Sequence, residues 1–350
     1  MSSVRERAVL CLMGTAVGDA LGLAREGLSA RRGARMFPGE PRPQLLPGMG
    51  MVSDDTEHAC MAAQAFIESG GEVRAFRRAL ARRMRWWFAS IPPEIGLATV
   101  RSCLKLWAGV SPERSGVRSA GNGPLMRAPI LGVLGRDAAH VRELVEASTR
   151  MTHTDEHAVE GALMAGAVAH ALSRGRGGEV LEVARSVRIG GGTESYAGVE
   201  AAMTADVSRE DERAFARRVC GARGAWGVSG YVVHTLACSL YAWRRHRASA
   251  RDGMGAIVLC GGDTDSTGAL VGGLYGADGT EMPGEWVSRV REWPRSVGWV
   301  RRVGGVAGEV SAGGGARRAP GVPMGAGLVR NVGLTAVVIG HVVRRGLPPY

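Results

Sequence analysis

The segment Gly14-Thr15-Ala16-Val17-Gly18-Asp19-Ala20-Leu21-Gly22 has a glycine at every fourth position, and Gly268, Gly272 and Gly276 repeat that spacing later in the chain. Residues four apart lie on one face of an α-helix, so each glycine trio predicts a helix with a groove along one side. Two such grooves allow two helices to pack with their backbones very close together. Asp19, inside the first trio, argues against a helix pair in a lipid bilayer. The spacing therefore predicts a closely packed helix pair in a soluble protein.

Helical periodicity also dominates the rest of the 350-residue chain, and runs of alternating β-branched residues are few. The hydrophobic fraction of 45% is normal for a chain that buries a substantial core. No internal repeat and no clear domain boundary interrupts the pattern. We therefore predict an all-α protein, with a single compact orthogonal helical domain over residues 1–303. The Gly-, Ala- and Arg-rich stretch 304–322 predicts a mobile linker, and residues 323–350 predict a C-terminal helix that packs back on the domain.

The charge balance is basic, with 44 Lys and Arg residues against 33 Asp and Glu and a net charge of +11. Such a charge raises the expectation of an anionic partner such as nucleic acid. Lys105 is the single lysine, however, and the arginines are scattered along the sequence. An arginine bias with abundant Ala and Gly indicates a GC-rich coding sequence rather than a binding surface. Because aromatic residues are also scarce, we expect no stable nucleic-acid binding.

No segment predicts export or membrane insertion. The N-terminus is polar, and no signal peptide follows it. Residues 328–343 are apolar, but Arg330 and Asn331 interrupt them, so the segment is too short to span a bilayer and predicts a core helix. The six cysteines are dispersed without a Cys-x-x-Cys pair, which is typical of buried reduced thiols in a cytosolic protein. We therefore expect a cytoplasmic monomer without membrane contact.

Two acidic clusters, Ser53-Asp54-Asp55-Thr56 and Asp263-Thr264-Asp265-Ser266-Thr267, each precede a predicted helix. Helix capping is the simplest explanation, and Asp54 with Glu57 has the spacing of a capping box. Capping needs one or two oxygens, however, whereas each cluster offers at least four oxygen-bearing side chains in succession. Hydroxyl and carboxylate oxygens suit Mg²⁺, Mn²⁺ or Ca²⁺, and two divalent cations would neutralise four carboxylates. The clusters therefore predict a dinuclear metal site.

Glu26 lies just beyond the first glycine trio, while Asp263 and Asp265 lie at the start of the second glycine helix. If the two helices packed antiparallel, Glu26 would lie near both aspartates. This arrangement is a hypothesis from spacing alone. Two metals held there could clamp vicinal hydroxyls or phosphate oxygens and activate a water between them.

The segment His153-Thr154-Asp155-Glu156-His157 offers a competing metal site. Histidines four apart can lie on one face of a helix and bind zinc. The zincin motif requires Glu directly after the first His, and Thr154 occupies that position. A zinc hydrolase is therefore a minor alternative.

The segment Ser119-Ala120-Gly121-Asn122-Gly123 places small residues around an asparagine. Such a turn can expose backbone N–H groups that bind an anion. An ordinary turn explains the segment at least as well. By itself this segment is therefore a weak indication of an anion site.

Taken in order, these segments resemble the ADP-ribosylglycohydrolase family, which includes the ADP-ribosylarginine hydrolases and the dinitrogenase-reductase-activating glycohydrolases. The resemblance extends from about residue 8 to 277. The matching segments are 14–22, Ser53-Asp54-Asp55-Thr56-Glu57, Ser119-Ala-Gly-Asn-Gly-Pro-Leu-Met-Arg127, Thr152-His153-Thr154-Asp155 and Gly261-Gly262-Asp263-Thr264-Asp265-Ser266-Thr267. The two acidic motifs are highly specific in combination.

The resemblance implies the all-α fold of this family, with two Mg²⁺ ions per chain in a cleft, or Mn²⁺ as the alternative. By matching position, the metal ligands would be Ser53, Asp54, Asp55, Asp263, Asp265 and Ser266. Glu26 or Asp55 would orient or deprotonate the attacking water. The Gly121-Asn122-Gly123 turn would cradle the diphosphate, Ser119 would bind the substrate beside it, and His153 would contact the ADP-ribose.

The implied reaction is hydrolysis at the anomeric carbon of the distal ribose, which reverses ADP-ribosylation of a protein, a nucleic acid or a small molecule. A catalytically inactive relative that binds ADP-ribose is the alternative, although no ligand position is lost. One position departs from the family pattern. Some members carry an aromatic residue that stacks on adenine just before the Gly-Asn-Gly turn, and Ala120 stands there in this chain. Tyr231 or Trp226 could take that role.

Overall fold

The computed structural model describes residues 3–347, without the side chains of Arg223 and Ala225. Those residues form seventeen α-helices and one two-stranded sheet, which confirms the predicted all-α class. The helices are Val4–Gly22 (α1), Ala30–Met36 (α2), Asp54–Ser69 (α3), Val73–Ala89 (α4), Leu97–Trp107 (α5), Ala128–Leu134 (α6), Ala138–Arg150 (α7), Glu156–Ser173 (α8), Val180–Ser186 (α9), Glu194–Thr204 (α10), Glu212–Cys220 (α11), Val232–Arg245 (α12), Ala250–Val258 (α13), Thr264–Asp278 (α14), Gly284–Arg289 (α15), Val297–Ser311 (α16) and Met324–Arg345 (α17). Two 3-10 helices lie at Leu23–Arg25 and Gly221–Ala225, and the strands are Leu28–Ser29 (β1) and Gly261–Gly262 (β2). The last three residues of the predicted C-terminal segment lie outside the described part of the chain.

The two glycine-bearing helices, α1 and α14, form the largest helix-to-helix contact. Helix α14 is almost entirely buried, and α1 is buried from Cys11 to Gly22. A Cβ atom on Gly18 would overlap the carbonyl oxygen of Gly268, and a Cβ atom on Gly14 would overlap that of Gly272. Later positions of α1 thus meet earlier positions of α14, so the helices run antiparallel. We call these four residues the glycine seam. It confirms the close helix pair that the spacing predicts.

Helix α16 also packs on α1 through glycines. Gly304 lies against the backbone of Val9, and Gly308 lies against the backbone of Arg5. The linker predicted over 304–322 is therefore wrong in its N-terminal part, because α16 continues to Ser311. The glycines that suggested flexibility serve close packing instead. The irregular segment between α16 and α17 covers only residues 312–323.

Helix α17 packs on the domain through one side only. Arg330 is buried on that side, where its guanidinium donates to the two carboxylate oxygens of Glu292 at 2.9 and 3.1 Å. The opposite side is exposed, with accessible fractions of 62% for Val332 and 58% for Ile339. The helix predicted over 328–343 is present, but its predicted burial in the core is wrong. Its apolar side chains largely face outward because its polar side chains are the ones that bind the domain.

Candidate functional site

Separate segments of the chain meet where α1 ends and α14 begins. Strand β1, which follows α1, pairs antiparallel with β2, which precedes α14, and Leu28 lies opposite Gly262. Backbone bridges also join Gly262 to Val228 and Gly121 to Tyr231. Gly262 has a φ of 84°, and a Cβ atom there would overlap the backbone of Val228, so this crossing requires glycine. These backbone pairings bring the Gly121-Asn122-Gly123 turn and the second acidic cluster together.

Asp19, the acidic residue within the first glycine trio, fixes the first acidic cluster. Its carboxylate accepts hydrogen bonds from the N–H of Ser53 at 2.9 Å, the N–H of Thr56 at 3.1 Å and the Thr56 hydroxyl at 2.5 Å. Burial raises the pKa of Asp19 to about 7, although these hydrogen bonds lower it. Asp19 was not among the predicted site residues. The available signal was an acidic residue on an otherwise apolar, glycine-lined helix.

The first acidic cluster begins α3. Ser53 is the N-cap residue, and its hydroxyl accepts a hydrogen bond from the N–H of Asp55 at 3.2 Å. Asp54 and Asp55 follow as the first two residues of the helix. The Oδ2 atom of Asp55 is buried and has no hydrogen-bond partner. Capping therefore accounts for the serine of this cluster and leaves its two carboxylates unexplained.

Glu57 does not form the capping box that its spacing from Asp54 predicts. Its buried carboxylate instead lies 2.7 Å from the Arg295 guanidinium and 3.2 Å from that of Arg330, and it accepts a hydrogen bond from the Trp87 indole. The capping-box prediction is therefore wrong, because cations from distant parts of the chain reach this carboxylate. A buried ion network thus connects the start of α3 to α17.

The second acidic cluster begins α14. Asp263 occupies the N-cap position, but its side chain makes no capping hydrogen bond, and its Oδ2 accepts one from the Asn122 amide at 2.9 Å. Asp265 is buried in the first turn of the helix. Ser266 makes a side-chain hydrogen bond to Asp55 of the first cluster. The structure thus brings the predicted ligand residues of α3 and α14 into one group.

The carboxylates of this group repel one another. Burial raises the pKa of Asp55 well above its usual range, and the charges of Asp54, Asp19 and Asp263 raise it further. Burial and the neighbouring carboxylates also raise the pKa values of Asp54 and Asp265. The group is therefore stabilised when protons or cations neutralise part of its charge.

The donor atoms fit a hard divalent cation, since they are carboxylate and hydroxyl oxygens and include the unpartnered Oδ2 of Asp55. Their present arrangement is not a finished coordination sphere. Within residues 3–347, no three or more His, Cys, Asp or Glu side chains are placed so that they could hold a metal ion as they stand. The carboxylates would therefore have to turn toward a cation on binding.

Glu26 lies beside this group, at the end of the 3-10 helix that follows α1. The charge of Glu26 raises the pKa of Asp265, and the charge of Asp263 raises the pKa of Glu26. These residues therefore lie near one another, as expected for antiparallel helices. The Glu26 carboxyl also makes a hydrogen bond with Glu94, from the connection between α4 and α5. Burial, followed by the charges of Glu94 and Asp263, raises the pKa of Glu26 well above its usual range, and Arg345 of α17 opposes this shift. Glu26 therefore holds a proton more tightly than an exposed glutamate does.

Two further residues at the site received no role from the sequence. Glu94 has a φ of 62°, which is rare for a residue other than glycine, and no motif surrounds it. Arg127 ends the family-like segment that begins at Ser119, and it is fully buried. Its guanidinium donates to the hydroxyls of Ser148 and Thr152, each at 2.8 Å, and lies 3.2 Å from Nδ1 of His58. Burial lowers the pKa of Arg127 to about 10, so it stays charged at neutral pH.

His153 lies directly behind the predicted anion-binding turn. A Cβ atom on Gly121 would contact the His153 ring at 3.4 Å, and one on Gly123 would contact it at 3.3 Å. The ring is 3% exposed, and burial together with the Arg127 charge lowers its pKa to about 3, so it is neutral. His153 therefore supports the turn rather than lining an open cleft.

The N–H groups of the turn are largely occupied within the protein. The N–H of Gly121 donates to the Ser119 hydroxyl at 3.2 Å, and the N–H of Asn122 donates to the Gly230 carbonyl at 3.0 Å. The Asn122 amide in turn donates to Asp263. The turn thus places Asn122 against the second acidic cluster, which differs from the open anion-binding turn that its composition suggested.

The two histidines proposed for zinc do not share a helix face. Helix α8 begins at Glu156, so His153 precedes it. Nδ1 of His153 lies 2.9 Å from the Thr152 hydroxyl, whereas Nδ1 of His157 lies 3.0 Å from an Asp155 carboxylate oxygen. The premise of the zinc alternative, two imidazoles on one helix face, is therefore wrong.

Known proteins share both the sequence and the fold. A protein of Archaeoglobus fulgidus, described as uncharacterised, is 30% identical over 292 residues, which cover 81% of this chain and 90% of that protein. The ADP-ribosylarginine hydrolase Tri1 of Pseudomonas putida is 28% identical, covering 81% and 74% of the two chains, and the ADP-ribosyl-[dinitrogen reductase] glycohydrolase of Rhodospirillum rubrum is 26% identical, covering 82% and 91%. A solved structure described as an ADP-ribosylglycohydrolase-related protein complex matches with a TM-score of 0.67 at 25% identity, covering 89% of this chain and 100% of that one.

The sequence model of the ADP-ribosylglycohydrolase family matches residues 1–316. This match includes both acidic clusters, the glycine seam and the Gly-Asn-Gly turn, and it ends before α17. The motifs, the helical fold and these similarities agree with one another. This chain belongs to the ADP-ribosylglycohydrolase family.

Proposed function

We propose that this protein hydrolyses the glycosidic bond at the anomeric carbon of the distal ribose in an ADP-ribosylated substrate. The observation that carries the proposal is the single group formed by the acidic residues of α3 and α14 beside the Asn122 turn. Membership of a glycohydrolase family supports the hydrolysis of ADP-ribosylated substrates in general. The names of the two characterised relatives make an ADP-ribosylated protein the first substrate to test.

Two Mg²⁺ ions, or two Mn²⁺ ions, would be held by the oxygen-bearing residues that begin α3 and α14. These residues are Ser53, Asp54, Asp55, Asp263, Asp265 and Ser266. Bound divalent cations would supply positive charge that orients the ribose hydroxyls and offsets the repulsion between carboxylates. The raised pKa values of the buried aspartates and the unpartnered Oδ2 of Asp55 support this assignment.

Glu26 and Asp55 are the candidates for the carboxylate that acts on the attacking water. As the water oxygen bonds to the anomeric carbon, this carboxylate takes up a water proton, and the glycosidic bond breaks with its electron pair on the leaving group. Because the pKa of Glu26 is raised, its carboxylate is a stronger base than that of an ordinary glutamate. The surrounding carboxylates would stabilise the positive charge that develops on the ribose ring.

The substrate would lie against the Gly121-Asn122-Gly123 turn, with Ser119 beside its diphosphate. Neutral His153 would act through the position of the turn, since it is buried behind it. Tyr231 is the better candidate for the missing aromatic partner of adenine, because its backbone pairs with Gly121. Its hydroxyl donates to Glu194 at 2.8 Å, which holds the ring beside the turn.

Metal titration and ADP-ribose release test this function together. Chelator-treated protein should bind two Mg²⁺ or Mn²⁺ ions and release ADP-ribose from a panel of arginine-, serine- and nucleic-acid-linked substrates. Asp263→Asn should lower both metal affinity and release by about 100-fold or more, since it removes a proposed ligand charge. Glu26→Gln should keep metal binding and lower kcat, which would separate a proton-transfer role from a ligand role.

Asp252→Asn is the matched control, because Asp252 is an exposed aspartate in the first turn of another helix, α13. It should leave metal binding and release unchanged. Stoichiometric zinc, or full activity of Asp263→Asn, would contradict the proposal. Protein that binds the metals and ADP-ribose but releases none from any linkage would instead be an inactive binding relative.

A further inference from the structure

One side of α17 is apolar and faces away from the domain. We call Val329, Val332, Gly333, Ile339, Gly340 and Val343 the α17 outer face, and all six are exposed. At about 100° per residue these positions fall on one side of the helix. Eight of the fifteen large hydrophobic side chains that are exposed in the described residues lie between positions 324 and 347. Such a concentration on one surface is typical of an interaction site.

The buried polar groups of α17 face the opposite way. Arg330 binds Glu292, and the Asn331 amide donates to the Ser90 carbonyl at 2.9 Å. The six residues of the outer face carry no charge, and the exposed Arg344 flanks them at the C-terminal end. A surface helix of a monomer normally directs its apolar side to the core and its polar side to water. Helix α17 is instead apolar on both sides, since Leu334 is buried against the domain while Val332 and Ile339 are exposed, which indicates that its outer face is covered when the protein functions.

The spacing of the outer face suits another helix. Apolar residues recur every seven positions at Val329, Ala336 and Val343. A second set with the same spacing begins three positions after Val329, at Val332 and Ile339. This is the heptad pattern of packed helix pairs. Gly333 and Gly340 line the same stripe, and a Cβ atom on either would have no neighbour within 4 Å.

We propose that the α17 outer face binds the same face of a second copy of this chain. Because the face is uncharged, two copies that each carry a net charge of +11 can meet there without opposing arginines. At roughly 100 Å² for each of its four large apolar side chains, the face offers on the order of 400 Å² per subunit, the size of a weak interface rather than a standard one. When two identical faces meet about a twofold axis, both are fully used, so the assembly stops at a dimer. A dimer replaces the monomer expected from the sequence.

A lipid surface is the competing partner. Two helices of the described residues, α1 and α17, are long and apolar enough to cross a membrane by length and composition alone. In α1, 83% of the most apolar stretch is buried inside the protein, whereas in α17 only 22% is buried. Helices that lie on membranes carry a basic face and aromatic anchors. The outer face of α17 has no aromatic residue, and Arg330 is committed to Glu292. A second copy therefore fits this surface better.

Light scattering combined with size exclusion tests the proposal on the full chain. The wild type should elute with twice its mass of 36.7 kDa at micromolar concentration. The double variant Val332→Asp/Ile339→Asp should elute as a monomer with unchanged helical circular dichroism. Leu97→Asp/Leu104→Asp is the matched control, since it places the same two charges on exposed apolar positions of α5 that are also seven residues apart, and it should leave the dimer intact.

Gly340→Leu distinguishes the two partners. A leucine there blocks close approach of a second helix and should weaken the dimer at least about 10-fold, but it adds apolar surface that strengthens lipid binding. Wild type that is monomeric at high micromolar concentration would overturn the proposal. So would sedimentation of the wild type with phosphatidylcholine–phosphatidylglycerol vesicles that Gly340→Leu enhances. Neither readout depends on catalysis.

Discussion

The glycine seam and the α17 outer face use similar residues in opposite surroundings. At the seam, Gly18 lies against the backbone of α14, so the partner that its missing side chain accommodates is part of the same chain. On α17, Gly333 and Gly340 face open space. A glycine inside a helix costs about 1 kcal/mol relative to alanine. A glycine-lined helix face is therefore one half of a contact, and only the fold shows where the other half lies.

The largest effect is expected at the seam. In Gly18→Ala the new methyl group would overlap the Gly268 carbonyl, so α1 and α14 would have to separate. We expect a loss of about 3 kcal/mol in the free energy of unfolding, at the upper end of overpacking costs. Because the acidic clusters lie at the end of this helix pair, the metal affinity proposed for them should fall as well. Urea unfolding followed by circular dichroism measures the first effect, and calorimetric titration with Mg²⁺ measures the second.

Gly255→Ala provides the control for this change. Gly255 is also inside a helix, α13, but a Cβ atom there has no neighbour within 4 Å. This variant should be as stable as the wild type or slightly more stable. An equal loss for both variants would show that the seam is no more tightly packed than an ordinary helix surface.

The helix pair and the acidic clusters could be predicted from sequence because each depends on a local repeat. Spacing of four residues defines a helix face, and successive oxygen-bearing side chains stand out against an apolar background. The same local information misassigned Gly304 and Gly308 to a linker, since nothing nearby shows that α1 packs against them. Composition reports small residues but does not report which backbone they contact.

The parts of the site that could not be predicted depend on distant segments. Glu94 reaches Glu26 from the connection between α4 and α5, and Arg295 and Arg330 reach Glu57 from much later in the chain. No spacing rule encodes such encounters. The predicted helix over 328–343 exists, but its burial was misjudged, because apolar content does not reveal which side of a helix faces the domain.

The buried acids of the two regions also differ in the charges that surround them. Near α17, Glu292 is paired with Arg330, whereas Asp55 and Asp265 near the seam are surrounded by other carboxylates. Their raised pKa values mean that the folded protein keeps protons that the unfolded chain has released. Metal-free protein should therefore lose stability as pH rises from about 4, the unfolded value, toward neutrality.

Mg²⁺ should reverse this loss, adding about 2.7 kcal/mol at 100 times its dissociation constant. The gain should be large near pH 8 and small near pH 5, where protons already neutralise the carboxylates. Thermal unfolding with and without Mg²⁺ across this pH range measures the effect. Equal stabilisation at both pH values would show that the cation binds elsewhere.

The smallest effect is expected from Gly333→Ala, which tests whether the α17 outer face is half of a contact. In dilute, monomeric protein the methyl group meets no atom, so the variant should gain about 0.5–1 kcal/mol of stability through the helix. In concentrated protein the same methyl group would stand between two closely approaching helices and should raise the dissociation constant of the dimer. The free energy of unfolding, measured at low concentration, should therefore rise. The association constant of the dimer, measured by sedimentation equilibrium at high concentration, should fall. A stability gain without any change in association would place the second helix away from Gly333, and the resemblance to the glycine seam would then be one of composition alone.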